Sequence, residues 1–197
     1  MNGIRRVFLG LILAAAFFVF PAVANADLQA GIDAYVSGNY PVALAEFTSL
    51  AEKGNAEAQY ILGLMYVEGK VVPQDYKVAM LWYRKAAEQG NARAQNSLGA
   101  MYARGLGVPL DYQTALSWYL KAAEQGDSTA QNNLGFMYLN VQGVPADLVQ
   151  AHKWFSLAAA TGNEDAKENK KLAEGMMTPG EIKNAEKLAQ EWSAKHK

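Results

Sequence analysis

The sequence predicts an all-α protein, a right-handed α-solenoid of stacked helix hairpins. Three observations predict it: a 36-residue period through most of the chain, apolar residues at helical spacing twice within each period, and a glycine followed by a capping residue at each period boundary. Three segments align without a gap. They are "GNAEAQYILGLMYVEGKVVPQDYKVAMLWYRKAAEQ" from Gly54, "GNARAQNSLGAMYARGLGVPLDYQTALSWYLKAAEQ" from Gly90 and "GDSTAQNNLGFMYLNVQGVPADLVQAHKWFSLAAAT" from Gly126. The expected organisation is a signal peptide over 1–26, a partial repeat over 27–53, full repeats over 54–89, 90–125 and 126–161, and a degenerate repeat with a C-terminal capping helix over 162–197.

The first 26 residues differ in kind from the rest. Arg5 and Arg6 precede an apolar run from Val7 to Phe20, and Ala24-Asn25-Ala26 gives the small-x-small pattern of a cleavage site. The run is short of the ~20 residues that span a bilayer, so a cleaved export signal is expected rather than an anchor. Arg5, Arg6, Phe8 and Leu9 also fit part of a twin-arginine signal, but the flanking hydroxyl residue and lysine are missing, which favours the general secretory route. The expected location is periplasmic or secreted, after cleavage near Ala26 and with no stable membrane anchor.

The partial repeat, "AGIDAYVSGNYPVALAEFTSLAEKG", lacks the long turn of the full copies. In each full copy a first helix is predicted from residues such as Ala58, Leu62, Met65 and Tyr66, and a second from Ala79, Trp82, Tyr83, Ala86 and Ala87. Gly54, Gly90, Gly126 and Gly162 fit left-handed helix ends, with Asn55, Asn91, Asp127 and Asn163 capping the next helix. Asp75, Asp111 and Asp147 fit caps of the second helices. Gly63, Gly99 and Gly135 lie inside first helices at a cost of about 1 kcal/mol each, which close approach of a neighbouring helix would explain. The last copy, with Lys167, Lys170 and Lys171, is polar as a terminus should be. Thr178-Pro179-Gly180-Glu181 then opens a final helix with a capping box, and Ile182, Ala185, Leu188, Ala189 and Trp192 form its apolar face.

Composition excludes several function classes. Eighteen basic and nineteen acidic side chains leave no surplus for nucleic acid. The absence of cysteine excludes disulfides and thiolate chemistry, and two distant histidines, His152 and His196, give no basis for a metal site. No cofactor, no metal and no catalytic residue set is expected.

The pattern Ala94, Leu98-Gly99, Tyr102, Gly105-x-Gly107-Val108, Asp111, Ala115, Trp118-Tyr119 and Ala122-Ala123 resembles the Sel-1-like repeat, a relative of the tetratricopeptide repeat with a longer turn in its hairpin. The resemblance covers essentially the whole chain after residue 26. Val71 and Val141 depart from it at turn positions where glycine is preferred, and the fourth copy lacks the Leu-Gly pair.

This resemblance implies an adaptor or scaffold that binds a protein or peptide of the cell envelope on its concave face. The alternative is binding of cell-wall glycan or exopolysaccharide through groove aromatics such as Tyr60 and Phe136. A hydrolase is the least favoured reading. Carried over residue by residue, the concave-face positions of the related repeats select Glu57, Tyr60, Leu64, Val67 and Glu68, then Arg93, Asn96, Ala100, Ala103 and Arg104, then Thr129, Asn132, Phe136, Leu139 and Asn140. Asn96 and Asn132 would bond the backbone of an extended peptide, Arg93 and Arg104 a carboxylate, and Phe136 an apolar side chain.

Other conspicuous residues are expected to be structural. Equivalent placement of Trp82, Trp118 and Trp154 in each copy predicts core positions, with a cost of about 3 to 5 kcal/mol for Trp118→Ala. Arg104→Ala is expected to change stability by less than about 0.5 kcal/mol. His152 is expected to be structural or exposed. The glycine-rich turn Gly105-Leu106-Gly107 lacks the preceding strand and following lysine of a phosphate cradle, and reads as the link between two helices.

Overall fold

The computed structural model describes residues 27–196, so the signal peptide, its cleavage near Ala26 and the export route lie outside the described residues. Every described regular element is helical. Residues 27–36 form α1, followed by α2 (Tyr40–Glu52), α3 (Ala56–Glu68), α4 (Tyr76–Glu88), α5 (Ala92–Arg104), α6 (Tyr112–Glu124), α7 (Ser128–Leu139), α8 (Leu148–Ala160), α9 (Glu164–Glu174) and α10 (Pro179–Lys195). α2 packs on α3, each helix from α4 to α8 packs on the next, and α10 packs on α8, in the repeat solenoid that the 36-residue period predicts. The chain divides after Gln74 into two compact units, the first with α1–α3 and the second with α4–α10.

Local chemistry sets the boundaries. Asn55, Asn91, Asp127 and Asn163 each accept a hydrogen bond from the backbone N–H three residues on, capping α3, α5, α7 and α9. Asp75, Asp111 and Asp147 do the same for α4, α6 and α8. The boundary glycines hold φ between +86° and +92°, a region costly for any residue with a Cβ. Thr178 and Glu181 form the reciprocal capping box of α10.

Three hairpins rest on a glycine facing a ring. A Cβ on Gly99 of α5 would lie 2.6 Å from Tyr119 of α6, and one on Gly135 of α7 would lie 2.4 Å from Phe155 of α8. In the N-terminal unit Gly31 of α1 stands in the same relation to Phe47 of α2, at 2.8 Å. Ring and glycine are 20 residues apart in the copies that begin at Gly90 and Gly126 and 16 apart in the partial repeat, because its turn is shorter. The neighbour that the first-helix glycines accommodate is therefore a side-chain ring rather than a helix backbone.

Two tryptophans depart from the sequence expectation. Trp82 and Trp118 are half-buried, each with a lysine ammonium over its ring, Lys85 at 4.1 Å and Lys121 at 4.2 Å. The inward position belongs to the next residue, Tyr83, Tyr119 or Phe155, all at most 5% exposed. One step along a helix rotates a side chain by about 100°, and in α6 and α8 the residue that points inward is the one facing Gly99 or Gly135. Only in the last full copy is the tryptophan also buried. Trp154 is 4% exposed, because α10 lays Trp192 against it edge-on with ring centroids 6.1 Å apart.

Buried glutamines tie each first helix to the helix before it. Gln59, Gln95 and Gln131 donate their side-chain amides to the carbonyls of Ala51, Ala87 and Ala123, at 2.9, 3.1 and 3.2 Å. These carbonyls lie at C-terminal ends, where the helix leaves its acceptors unsatisfied. Gln125 in turn donates to the Oε1 of Gln95 at 2.7 Å. Thr161 occupies the corresponding place one repeat later and bonds Ala158 instead, so the buried Oε1 of Gln131 has no partner among the described residues.

The long turns are connectors. Gly105 ends α5 in the left-handed conformation, φ +66°. A Cβ on Gly107 would come within 2.9 Å of the backbone of Tyr76, and one on Gly143 equally close to that of Tyr112. Val141, where the earlier copies have Gly69 and Gly105, adopts φ +58°, a strained conformation for a β-branched residue.

Candidate partner-binding faces

In the C-terminal unit the first helices α5, α7 and α9 are linked side by side by asparagines. Asn133 donates its amide to Asn96 Oδ1 and Asn169 donates to Asn132 Oδ1, both at 3.0 Å. Asn96, at half burial, lies within this polar strip. Asn132 does not fit the role expected of it: it is only 7% exposed, because α9 of the degenerate copy covers it and Asn169 takes its carbonyl oxygen. The polar composition of the fourth copy marks it as a terminal cap and carries no signal that it buries a groove position.

The remaining candidates of this unit fall into two groups. Arg93, Arg104, Thr129 and Asn140 are exposed. Ala100, Ala103, Phe136 and Leu139 are half-buried and pack onto the core. Phe136 stands edge-on to Phe155 at 5.6 Å, so its ring belongs to the hairpin packing and is poorly placed to stack on a sugar. Asn140 turns back to bond the Phe136 carbonyl at 3.0 Å. Burial pushes the Tyr119 hydroxyl up to about 12 against the pull of the Arg104 guanidinium.

In the N-terminal unit the candidates lie on α3. Glu57, Tyr60, Leu64 and Val67 are half-buried and Glu68 is exposed. Leu64 and Glu68 line an open cleft of about 290 Å³ with Ile32, Tyr35, Phe47, Ile61 and Met65. The Tyr35 hydroxyl, kept protonated to higher pH by burial and by the neighbouring carboxylate, donates to Glu68 at 3.5 Å. This cleft was not legible in the sequence.

His152 is fully buried, where the two earlier copies have Met80 and Leu116. Its Nε2 lies 3.0 Å from Glu174 Oε1, and Ser156 Oγ lies 3.3 Å from its Nδ1. The hydrogen bond from His152, with help from Lys170, holds the Glu174 carboxyl below the usual carboxylate range. A serine–histidine–glutamate chain resembles hydrolytic machinery on paper. Ser156, however, sits within α8, whose backbone N–H groups are committed to the helix, so no oxyanion donors converge on its hydroxyl. The chain instead bolts α9 to α8. Among the described residues no group of three or more histidine, cysteine or carboxylate side chains could hold a metal, and no helix is long and apolar enough to cross a membrane.

The profile of the Sel1 repeat matches residues 56–91, 92–127 and 128–163, more than half of the chain. The chain belongs to the Sel1 repeat family. The Sel1 period is the same 36 residues, entered two residues later than the glycine boundaries. Among solved structures, a Sel1 repeat protein from Oxalobacter formigenes is 32% identical over 74% of this chain, with a TM-score of 0.69. The protective antigen c5321 of uropathogenic Escherichia coli, which displays the same fold, is 30% identical over 88%, with a TM-score of 0.62. The chain spans 58% and 46% of those two proteins. A search of curated proteins found no match. Sel1 repeats are binding scaffolds, generally without catalysis, and this chain is a Sel1-repeat scaffold.

Proposed function

We propose that this scaffold is exported to the cell envelope, released near Ala26, and holds a protein or peptide partner against the faces of its first helices. The asparagine strip carries the reading. Asn96 accepts from Asn133 through its carbonyl oxygen, which fixes the amide and leaves its N–H groups to donate to the carbonyls of an extended chain. Arg93 and Arg104 extend the face at its two ends, and Thr129 and Asn140 repeat the polar placement one copy later.

Envelope location draws support from the export pattern of residues 1–26 and from the likeness to c5321, a protective antigen. Affinity purification from envelope extracts, comparing the unaltered chain with Asn96→Ala/Arg104→Glu, tests the reading. A discrete protein retained by the first and lost from the second is expected. Retention by both, or retention on purified cell wall alone, would count against it.

A further inference from the structure

We propose that the apolar cleft of the N-terminal unit seats an apolar side chain of a partner segment whose neighbouring residue is basic. This rests on the partner-binding reading and names the partner's chemistry at α3. Ile32 and Tyr35 of α1, Phe47 of α2, and Ile61, Leu64 and Met65 of α3 form the walls, and the cleft stays open to solvent. At about 290 Å³ it lies below the range of cofactor pockets, roughly 300–1,000 Å³, and suits one anchoring side chain.

Three features give the rim its sign. Glu68 stands at the mouth as the last residue of α3, so its carboxylate adds to the negative end of the helix dipole. Its partner Lys70, at 3.3 Å, is 69% exposed, and such surface pairs are worth little, so an incoming ammonium can replace it. Residues 27–74 carry six carboxylates against two lysines, a net charge of −4, which draws in a cationic segment and repels an acidic one or an anionic lipid surface. The apolar anchor supplies the affinity and the basic neighbour the selectivity.

The test uses the full chain and two fluorescein-labelled peptides, Gly-Ser-Leu-Phe-Lys-Lys-Ser-Gly and the same peptide with both lysines replaced by glutamate. Binding is read by anisotropy at low ionic strength and located by methyl spectra. The expected result is at least tenfold tighter binding of the lysine peptide, with shifts at the methyls of Ile32, Ile61 and Leu64. Glu68→Lys is expected to abolish the preference and Glu68→Gln to weaken it, both with unchanged melting. Equal binding of the two peptides, no binding of either, shifts confined to α5 and α7, or an unchanged preference in Glu68→Lys would overturn the proposal. Shifts confined to α5 and α7 would leave the first-helix reading standing. Failure of the envelope purification would reject that reading whatever the peptides do.

Discussion

Gly99 of α5 lies directly under the ring of Tyr119, where an added Cβ would stand 2.6 Å from Cδ1, 2.7 Å from Cε1 and 2.9 Å from Cγ. Alanine in place of a mid-helix glycine normally gains up to about 1 kcal/mol of helix propensity. Here the ring is 5% exposed and cannot withdraw without opening the hairpin. We expect Gly99→Ala to destabilise the fold by about 1 to 3 kcal/mol despite that gain, measured by urea denaturation. A stabilised variant would mean that the ring is free to move.

The Tyr119 hydroxyl gives a pH signature. Its pKa is raised from 10 to about 12 by burial, so between those values the unfolded chain gives up the proton while the folded chain keeps it. The stability linked to this group is therefore complete below about pH 10 and is lost as pH rises toward 12, at roughly 1.4 kcal/mol per unit. Phenylalanine fits the position, since Phe155 occupies it one repeat later. Tyr119→Phe is expected to flatten the alkaline decline in melting temperature relative to the unaltered chain. Parallel declines in both proteins would count against the assignment.

The two tryptophan environments predict unequal costs. Trp118 is half-buried beneath Lys121, and its replacement by alanine is expected to cost about 1 to 2 kcal/mol rather than the 3 to 5 that sequence placement implies. Trp154, 4% exposed and held by Trp192, is expected to cost about 3 to 5 kcal/mol. Equal losses in chemical denaturation would show that the repeats treat the two rings alike.

The orphaned Oε1 of Gln131 offers a gain. Gln125 satisfies the corresponding oxygen of Gln95 from 30 residues further along, and Thr161 stands at that place in the next copy. Thr161→Gln is expected to raise stability by about 1 kcal/mol, the usual net value of a hydrogen bond, and Gln131→Met to cancel that increment. An increment that survives Gln131→Met would trace to another cause.

What could be read in advance follows from the range of the forces. Caps, left-handed glycines and the capping box of Thr178 and Glu181 act within about four residues, so their chemistry is written in the local sequence. Which of Trp118 and Tyr119 faces inward depends on Gly99, 20 residues away, and the repeat pattern alone marks both as apolar. The burial of Asn132 has a longer-range cause: the degenerate fourth copy still forms α9 and still supplies Asn169. Gln59, Gln95 and Gln131 did carry a signal, a glutamine at one place in every full copy, but a polar residue on an apolar helix face reads as exposed until its carbonyl partner is seen. The α1–α3 cleft depends on how the shortened first hairpin sits on α3, which no local pattern encodes.

The most direct measurement of the central claim, that the first-helix face is where a partner docks, is photocrosslinking in living cells from single sites. Asn96 and Arg104 on α5 serve as probes, and Ser117 and Lys121, exposed on α6, as controls. A discrete crosslinked protein is expected from Asn96 and Arg104 and none from Ser117 or Lys121. Capture from the α6 positions, with silence at Asn96 and Arg104, would contradict that claim.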